Sequence, residues 1–490
     1  MATVAVLGGG ISGLATAYYL GTLGKEAVKK VILIEKTGRL GGWIRSTTFP
    51  DGTVYEHGPS ALKAGGDAGR NALQLAEDLG LAEQVLTVPR SSPAGQEQLV
   101  LMGGRLCPLP STFRELLWPG RLFRTPLLLP LLRDLFLAGR PSIGSDQSVY
   151  DFTRSRFNTE VADYIMDPVT RSLCAGCSKE VSFRALLPNA FQAAALHGSL
   201  LKGQMQQTAS TRRAMALLQS EPGGQDSLVA RSMEWSVWSL RRGLQQLCDT
   251  LAQRLEDLPH VHVYVNEANV SLQQPSPGGQ ITVSFAESAT PVDYVFSCIP
   301  ARRLSQLLTH DWPELAGKLL SIPSVHLASV NMEFRGQQLS QQCSGFMVPS
   351  SEEAHLLGVN FDSCCFPEHD GQYDDKTRIT VLMGGRWFKP AFGEVDGADP
   401  EAILDAAKEV ARKYLHIDQP PLRHSVNVLK DCIPQYLVGH IERMSEICAS
   451  VASSQLPLSL LGSSYRGPGP NECIYHAKQA VEGYLETLQA

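Results

Sequence analysis

The sequence lacks an excess of basic charge and lacks any apolar stretch long enough to cross a bilayer. Lys and Arg together number 43 against 49 Asp and Glu, so the formal net charge is −6. An acidic balance with scattered basic residues gives no support for nucleic-acid binding. The nearest candidate span, residues 126–138, is interrupted by Pro130, Arg133 and Asp134, which excludes a transmembrane helix.

The sequence also lacks a cysteine framework and a metal-ligand grouping. Its 11 cysteines include one isolated Cys174-Ala-Gly-Cys177 motif and the adjacent pair Cys364-Cys365. No second C-x-x-C and no His in zinc-like spacing accompany them, so we interpret them as structural thiols and expect no metal. A buried strand starting at Val4 would leave no room for a cleavable targeting peptide. Composition therefore predicts a soluble, intracellular, globular protein, and 490 residues predict two or three domains.

The amino-terminal residues carry a dinucleotide-binding pattern. The apolar run 4–7 leads into Gly8, Gly10 and Gly13 at the G-x-G-x-x-G spacing, and Glu35 ends the next apolar run. In this pattern the glycines allow a tight turn and a close approach of pyrophosphate to a helix N-terminus, while the acid accepts ribose hydroxyls. The predicted cofactor-binding residues here are Gly8, Gly9, Gly10, Ile11, Ser12, Gly13, Glu35 and Lys36.

A second glycine pair follows the ribose acid within the segment Arg39-Leu-Gly-Gly-Trp43. A nicotinamide-dependent dehydrogenase does not need this pair, whereas flavoproteins of the amine-oxidase type carry Arg-x-Gly-Gly at this place, and the segment resembles theirs. An ordinary Gly-Gly turn between strands is the alternative. FAD is favoured, and Arg39, Gly42 and Trp43 are predicted to meet it.

The remaining pattern predicts an α/β protein with a Rossmann-like domain built from separated stretches and a second domain with a mixed sheet. Residues 108–141 are rich in Leu, Pro and Arg. They form either a buried helical cap or a monotopic surface that enters a bilayer interface, and both alternatives stay open. The predicted parts are an FAD-binding domain (1–90, 235–308 and 426–490), a helical membrane-docking insertion (91–205), a linker (206–234) and a substrate-binding domain (309–425).

The whole chain resembles the animal-type protoporphyrinogen oxidase family of the flavin amine oxidase-like superfamily. The glycine motifs are shared by many amine-oxidase-like flavoproteins. The more particular matches are Val348-Pro-Ser-Ser-Glu352, Cys432-Ile-Pro-Gln-Tyr436 with Gly439-His440, and Gly462-Ser-Ser-Tyr465 with Asn471-Glu-Cys-Ile474.

The resemblance implies oxidation of protoporphyrinogen IX to protoporphyrin IX, the penultimate step of haem biosynthesis. Six electrons would leave in three cycles of one non-covalently bound FAD, with oxygen as acceptor and hydrogen peroxide as product. The resemblance also implies a peripheral protein of the mitochondrial inner membrane that faces the intermembrane space, with residues 108–141 in membrane contact. It leaves a homodimer open.

Further site residues follow from the resemblance. Gly58, Pro59, Ser60 and Ala61 would lie beside the flavin ring, and Asn269 and Val270 at the adenine. Ser463, Pro468, Gly469 and Pro470 would precede a helix whose N-terminal partial charge stabilises the anionic reduced flavin. No catalytic acid or base is assigned, because the flavin carries the hydride step. The implied substrate-binding residues are Gln98, Arg171, Ser172, Leu173, Phe346 and Met347. Leu173, Phe346 and Met347 are equally consistent with ordinary core positions.

Three of these positions depart from the family pattern. Ser60 stands where the family usually has Arg or Asn, Gln98 where animal relatives have Arg, and Ser172 where the family has Gly. Substrate propionates would lose charge partners at the first two positions unless Arg114, Arg171 or Lys63 compensates. Two alternatives therefore stay open: another flavin amine oxidase with a different reduced substrate, and a catalytically weak FAD-binding paralogue.

Overall fold

The structure is a computed structural model that describes residues 1–96, 98–110, 123–136, 139, 141, 145–206, 227–273, 279–285, 288–372 and 375–489. Its strands are β1 (Ala2–Leu7), β2 (Val28–Ile34), β3 (Ser46–Thr48), β4 (Val54–Glu56), β5 (Leu62–Lys63), β6 (Val85–Pro89), β7 (Leu99–Met102), β8 (Arg105–Pro108), β9 (Trp235–Leu240), β10 (Val261–Tyr264), β11 (Ser271–Gln273), β12 (Ile281–Phe285), β13 (Ser288–Val292), β14 (Tyr294–Ser297), β15 (Ser324–Arg335), β16 (Gly345–Met347), β17 (Leu356–Asn360), β18 (Lys376–Gly385), β19 (Arg423–Pro434) and β20 (Leu458–Leu460).

Its α-helices are α1 (Ile11–Leu23), α2 (Gly66–Asp78), α3 (Pro93–Gln96), α4 (Leu128–Phe136), α5 (Val149–Arg156), α6 (Thr159–Val161), α7 (Asp167–Cys174), α8 (Phe183–Leu186), α9 (Pro188–His197), α10 (Leu228–Arg231), α11 (Gln245–Glu256), α12 (Ala301–Leu308), α13 (Pro313–Leu320), α14 (Asp362–Cys365), α15 (Phe388–Phe392), α16 (Pro400–Leu415), α17 (His440–Ser453) and α18 (Pro470–Gln489). A π-helical stretch, Ala162–Met166, joins α6 to α7.

The first sheet has five parallel strands in the order β10-β2-β1-β14-β20. Its strands come from three separated stretches of the chain, as the sequence pattern predicts. The central strands are apolar and buried on both faces, which is typical of a parallel sheet covered by helices. Helices α1, α11 and α18 cover one face, and α12 and α13 cover the other. The carboxyl ends of β1, β2 and β14 therefore meet at one edge, where such sheets bind ligands.

The second sheet has seven strands in the order β19-β15-β18-β17-β16-β7-β8. Apolar side chains alternate along β15 and face α16 from one side of the sheet. The intervening polar residues, Ser329, Asn331 and Glu333, are buried on the other side. There Asn331 Nδ2 donates to the carbonyl oxygen of Glu56 at 2.9 Å, which ties this sheet to the β3–β4 hairpin.

The structure corrects three predicted domain boundaries. Hairpin β7–β8 belongs to the seven-stranded sheet and not to a helical insertion starting at residue 91, because β7 pairs in parallel with β16. Helix α13 packs on the five-stranded sheet, beyond the predicted boundary at residue 308. Strand β19 runs uninterrupted through the predicted boundary at 425 because its pairing with β15 continues to Pro434.

Helices α4 to α9 form the region where the sequence predicts a helical insertion. Part of the predicted membrane segment 108–141 and most of the predicted linker 206–234 lie outside the described residues, and α10 forms at the linker's end. None of the described helices is long and apolar enough to span a bilayer.

Candidate functional site

The turn between β1 and α1 is closed by backbone contacts that most side chains would break. A Cβ on Gly13 would lie 3.0 Å from the carbonyl carbon of Gly8 and closer still to its oxygen, and Gly8 itself has a φ of +99°. Gly10 differs, because its φ is −72° and the nearest atom to an added Cβ would be Gly42 Cα at 3.7 Å. Gly8 and Gly13 are therefore required by the fold, whereas the space at Gly10 is open to a ligand.

The second glycine pair packs directly against this turn. Gly41 N–H donates to the carbonyl oxygen of Gly9 at 2.8 Å, and a Cβ on Gly42 would lie 3.0 Å from Gly10 Cα. The guanidinium of Arg39 shapes this loop instead of standing free for the cofactor. It donates to the carbonyl oxygens of Leu40, Gly42 and Ile44 and to Gln245 Oε1.

The acid at the end of β2 is held beside the same turn. One carboxylate oxygen of Glu35 accepts from Gly9 N–H at 2.7 Å. The other accepts from the backbone N–H and the hydroxyl of Thr37, both at 2.8 Å. The glycine turn and the acid that the sequence pattern predicts therefore lie side by side.

A cavity of about 590 Å³ opens at the carboxyl edge of the five-stranded sheet. Six predicted cofactor residues line it: Gly8, Glu35, Lys36, Trp43, Val270 and Ser463. Asn269 is exposed next to Val270. Sequence reasoning missed other lining residues, among them Ile299, Pro300, Arg302, Arg303, Lys430 and Asp431. The first four follow β14, whose strand-to-helix pattern is visible in the sequence, so the rule that ligands bind at strand carboxyl ends could have found them.

The segment after β4 lies against Trp43. A Cβ on Gly58 would overlap the carbonyl oxygen of Trp43. Pro59 and Ser60 are half-buried, and Ala61 packs on the small apolar cluster around Leu86.

His57, for which the sequence predicted no role, joins the β3–β4 hairpin to the seven-stranded sheet. Asn427 Nδ2 donates to His57 Nδ1 at 2.9 Å, and the other ring nitrogen lies 2.6 Å from Thr47 Oγ1. Burial lowers the pKa of His57. Because Nδ1 accepts from the amide of Asn427, the ring proton lies on Nε2, which donates to Thr47 Oγ1.

The carboxy-terminal turn leads into α18 as the sequence predicts, and it carries a carboxylate. The N–H of Cys473 donates to the carbonyl oxygen of Gly469 at 3.1 Å, while Pro468 and Pro470 have no N–H to offer. The side chain of Glu472 lies over Gly469, where an added Cβ would be 2.5 Å from Glu472 Oε2. This carboxylate lies at the positive end of the helix dipole and partly neutralises it.

The structure does not bring the predicted substrate residues to this cavity. Arg171 is buried, and its Nη2 donates to the carbonyl oxygens of Glu353, Ala354 and Leu356 at 2.9, 2.9 and 2.8 Å. Its guanidinium lies 4.1 Å from the ring centre of Trp387. Burial lowers the pKa of Arg171 to about 10. These contacts hold the turn before β17.

The other predicted substrate residues lie on or beside β16 of the seven-stranded sheet or in α7. Phe346 is buried in the core and its ring contacts those of Phe361 and Tyr414. Met347 follows it on the opposite face and is half-buried. Gln98 is exposed beside β16, because Leu99 pairs with Phe346. Ser172 is exposed and Leu173 half-buried at the end of α7.

A parallel sheet with a glycine turn, an acid at the end of β2 and a cavity at its carboxyl edge is typical of dinucleotide-binding folds. The profile of the flavin containing amine oxidoreductases matches residues 11–444. The chain is 38% identical to the protoporphyrinogen oxidase of Bos taurus and 36% identical to that of Homo sapiens, and each alignment covers 99% of this chain and 98% of the relative. A solved structure from Exiguobacterium sp. 255-15 matches with a TM-score of 0.75 at 21% identity and covers 99% of both chains.

The chain therefore belongs to the protoporphyrinogen oxidase family, within the flavin-containing amine oxidoreductases. It is a flavin-dependent oxidoreductase of mixed α/β fold. The fold class and the family resemblance predicted from the sequence are confirmed.

Proposed function

We propose that this protein binds one FAD non-covalently and oxidises protoporphyrinogen IX to protoporphyrin IX, with oxygen as acceptor and hydrogen peroxide as product. The observation that carries the proposal is the 36–38% identity, over nearly the whole length, to proteins of that name. When bound, FAD supplies the hydride acceptor for the three two-electron oxidations.

The residues at the carboxyl edge of the five-stranded sheet fit this cofactor. The turn from Gly8 to Gly13 leaves room at Gly10 for a pyrophosphate at the N-terminus of α1. Glu35, already held by Gly9 N–H, lines the cavity, where its carboxylate would accept the ribose hydroxyls. Trp43 and Ser463 also line the cavity, and Tyr436 donates to the carbonyl oxygen of Ser463.

Peripheral attachment to a membrane, in this family's case the mitochondrial inner membrane at its intermembrane-space face, is the second part of the proposal. Helix α4 exposes Leu129 and Phe136 to 58% and 72%, and neighbouring Leu196 is 59% exposed. Nine residues extend only about 13.5 Å at 1.5 Å per residue, too short for a bilayer core of about 30 Å. The exposed apolar side chains and the short length of α4 support contact with one face of a membrane.

One assay tests the activity and both alternatives. The purified holoprotein is given protoporphyrinogen IX in air, while porphyrin fluorescence and peroxide are followed. Porphyrin formation above the autoxidation blank is expected. Flavin reduction only by amines would indicate another amine oxidase, and a bound flavin that neither substrate reduces would indicate a weak paralogue.

Ser60→Arg tests whether the missing cation limits substrate binding. If a propionate partner is absent at this position, the variant should lower the apparent KM while kcat stays near that of the unmodified protein. An unchanged KM in a correctly folded holoprotein would show that the charge is supplied elsewhere.

A further inference from the structure

A second cavity of about 430 Å³ lies beside β8, the edge strand of the seven-stranded sheet. We call it the edge cavity. It is enclosed by Arg105 at the start of β8, Leu339 in the loop after β15, Phe361 directly after β17 and His416 directly after α16. The edge cavity and the cofactor cavity share no lining residue. Four distant stretches of the chain therefore form a site that the cofactor does not use.

The floor of the edge cavity is apolar. Phe361 and Tyr414 line it and are only 1% and 8% exposed. Leu106, Leu339 and Leu415 also line it, and all three pack against the same core cluster as the two rings. The cavity therefore offers an apolar ligand a surface that is continuous with the core.

The rim of the edge cavity carries basic side chains. Arg105, Lys413 and His416 line the cavity and are exposed, and no Asp or Glu belongs to its described lining residues. Within the described part of the chain, the side chains of Arg105 and His416 have no hydrogen-bond or ion-pair partner. The backbone of His416 has a φ of +58°, in the left-handed conformation that ends α16. The donors of Arg105 and His416 are therefore available to a ligand.

Two carboxylates contact the residues of the cavity, and both are engaged. Glu353 accepts from Lys413 Nζ at 2.7 Å and from the hydroxyl of Tyr414 at 2.8 Å. Glu352 accepts from two N–H groups of the β7–β8 turn at 2.8 and 3.3 Å. Because Lys413 already has an acid partner, Arg105 is the cation that remains for a bound anion.

We propose that the edge cavity binds a small carboxylate that carries an apolar chain. The guanidinium of Arg105 presents parallel N–H groups that match a carboxylate, and the imidazole of His416 can donate a further hydrogen bond. One remaining cation balances the single charge of a carboxylate, whereas a phosphate dianion would leave a charge without a partner. A volume of about 430 Å³ lies within the range of small-molecule sites.

Isothermal titration calorimetry of the FAD-loaded full chain with octanoate tests the site. Octanoate has both the charge and the chain, whereas acetate lacks the chain and octanol lacks the charge. Octanoate should bind at least about tenfold more tightly than either, because two buried methylene groups, or one hydrogen bond to a charged group, correspond to about that factor. Octanol binding as tightly as octanoate would show that the basic rim contributes nothing and would overturn the proposal.

Arg105→Gln removes the charge from an exposed side chain and should weaken octanoate binding about 10- to 100-fold. Arg412→Gln is the matched control, because Arg412 directly precedes Lys413 in α16, is 59% exposed and does not line the cavity. It should bind octanoate like the unmodified protein. Equal affinities of Arg105→Gln and the unmodified protein would contradict the assignment of the site.

His416→Gly removes the imidazole at a position where the fold favours glycine. The melting temperature should not fall, because glycine adopts a positive φ without strain. Octanoate affinity should fall roughly 2- to 10-fold, the contribution of one ordinary hydrogen bond. An unchanged affinity would exclude His416 from the site.

Two other results would make the proposal wrong. One is the absence of saturable octanoate binding. The other is tighter binding of inorganic phosphate than of octanoate, lost in Arg105→Gln, which would identify a phosphate site instead. Porphyrin formation by the same preparation reports the proposed reaction separately, because the edge cavity contains none of the cofactor-site residues.

Discussion

Replacement of Gly10 by alanine should weaken FAD binding without weakening the apoprotein. The backbone at Gly10 is extended, with a φ of −72°, and no heavy atom lies closer than 3.7 Å to the position of an added Cβ. The free energy of unfolding of the apoprotein should therefore change by less than about 1 kcal/mol. The methyl group would instead stand where a pyrophosphate must approach the backbone N–H groups of the turn.

The size of the effect follows from the hydrogen bonds that the methyl would lengthen. A hydrogen bond to a charged group contributes about 1.5–3 kcal/mol. Loss of one such bond raises Kd about 10- to 100-fold, at 1.4 kcal/mol per factor of ten. Titration of FAD into the apoprotein, followed by flavin fluorescence, measures Kd, and thermal unfolding of the same apoprotein measures stability.

Two further glycine variants serve as controls for this prediction. Gly13→Ala places a Cβ against the backbone of Gly8, so stability and affinity should both fall. Gly483→Ala, in α18, meets no atom within 4 Å and should leave affinity unchanged. The reasoning is refuted if Gly10→Ala binds FAD as tightly as the unmodified protein, or if its apoprotein loses as much stability as Gly13→Ala.

Three other predictions concern charged side chains. Glu472→Gln should raise the flavin reduction potential, because it removes a negative charge from the start of α18. A helix-dipole interaction of about 0.3–1 kcal/mol corresponds to roughly 6–20 mV for a two-electron couple. A lower potential in a redox titration would contradict this. Burial raises the pKa of Glu56 from its ordinary 4.5 to about 8, so the folded protein favours the protonated carboxyl. Its stabilising contribution is complete in acid and is lost between about pH 4.5 and pH 8. Glu56→Gln should therefore flatten the decline of the melting temperature over that range, and an unaltered pH profile would count against it. Arg171→Lys keeps the charge but reaches fewer of the three carbonyl oxygens, so the free energy of unfolding should fall by about 1–3 kcal/mol in denaturant titrations; unchanged stability with a raised KM would assign Arg171 to substrate instead.

The cofactor edge of the molecule was largely predictable because its signals are local. Gly8 to Gly13, Glu35 and the Gly41-Gly42 pair lie in or directly after one β-α-β unit. Their spacing in the sequence therefore predicts how they are arranged in space. The strand and helix around Tyr294–Leu308 were also recognisable. Their contribution to the cavity through Arg302 and Arg303 was missed, although the strand-to-helix pattern is visible in the sequence, and the pairing of β14 beside β1 shows it directly.

The substrate side was less predictable because its contacts are long-range. Arg171 has the charge that a propionate requires, yet the structure commits Nη2 to three carbonyl oxygens about 180 residues away in the chain. The hairpin at 99–108 was recognisable as a hairpin, but its sheet was decided by a parallel pairing with Phe346. The roles predicted for Gln98, Ser172, Leu173 and Met347 remain predictions.

The sequence by itself determined the glycine turn, the acid at the end of β2 and the family, because each depends on residues close together or on a pattern over the whole length. Only the tertiary structure decided which residues meet across the chain. It placed Glu472 over the start of α18, His57 against Asn427, and Asp134 against Arg156. A polar or charged side chain pairs with whichever partner the fold brings within about 3 Å. The separation of two residues in the sequence does not predict that distance.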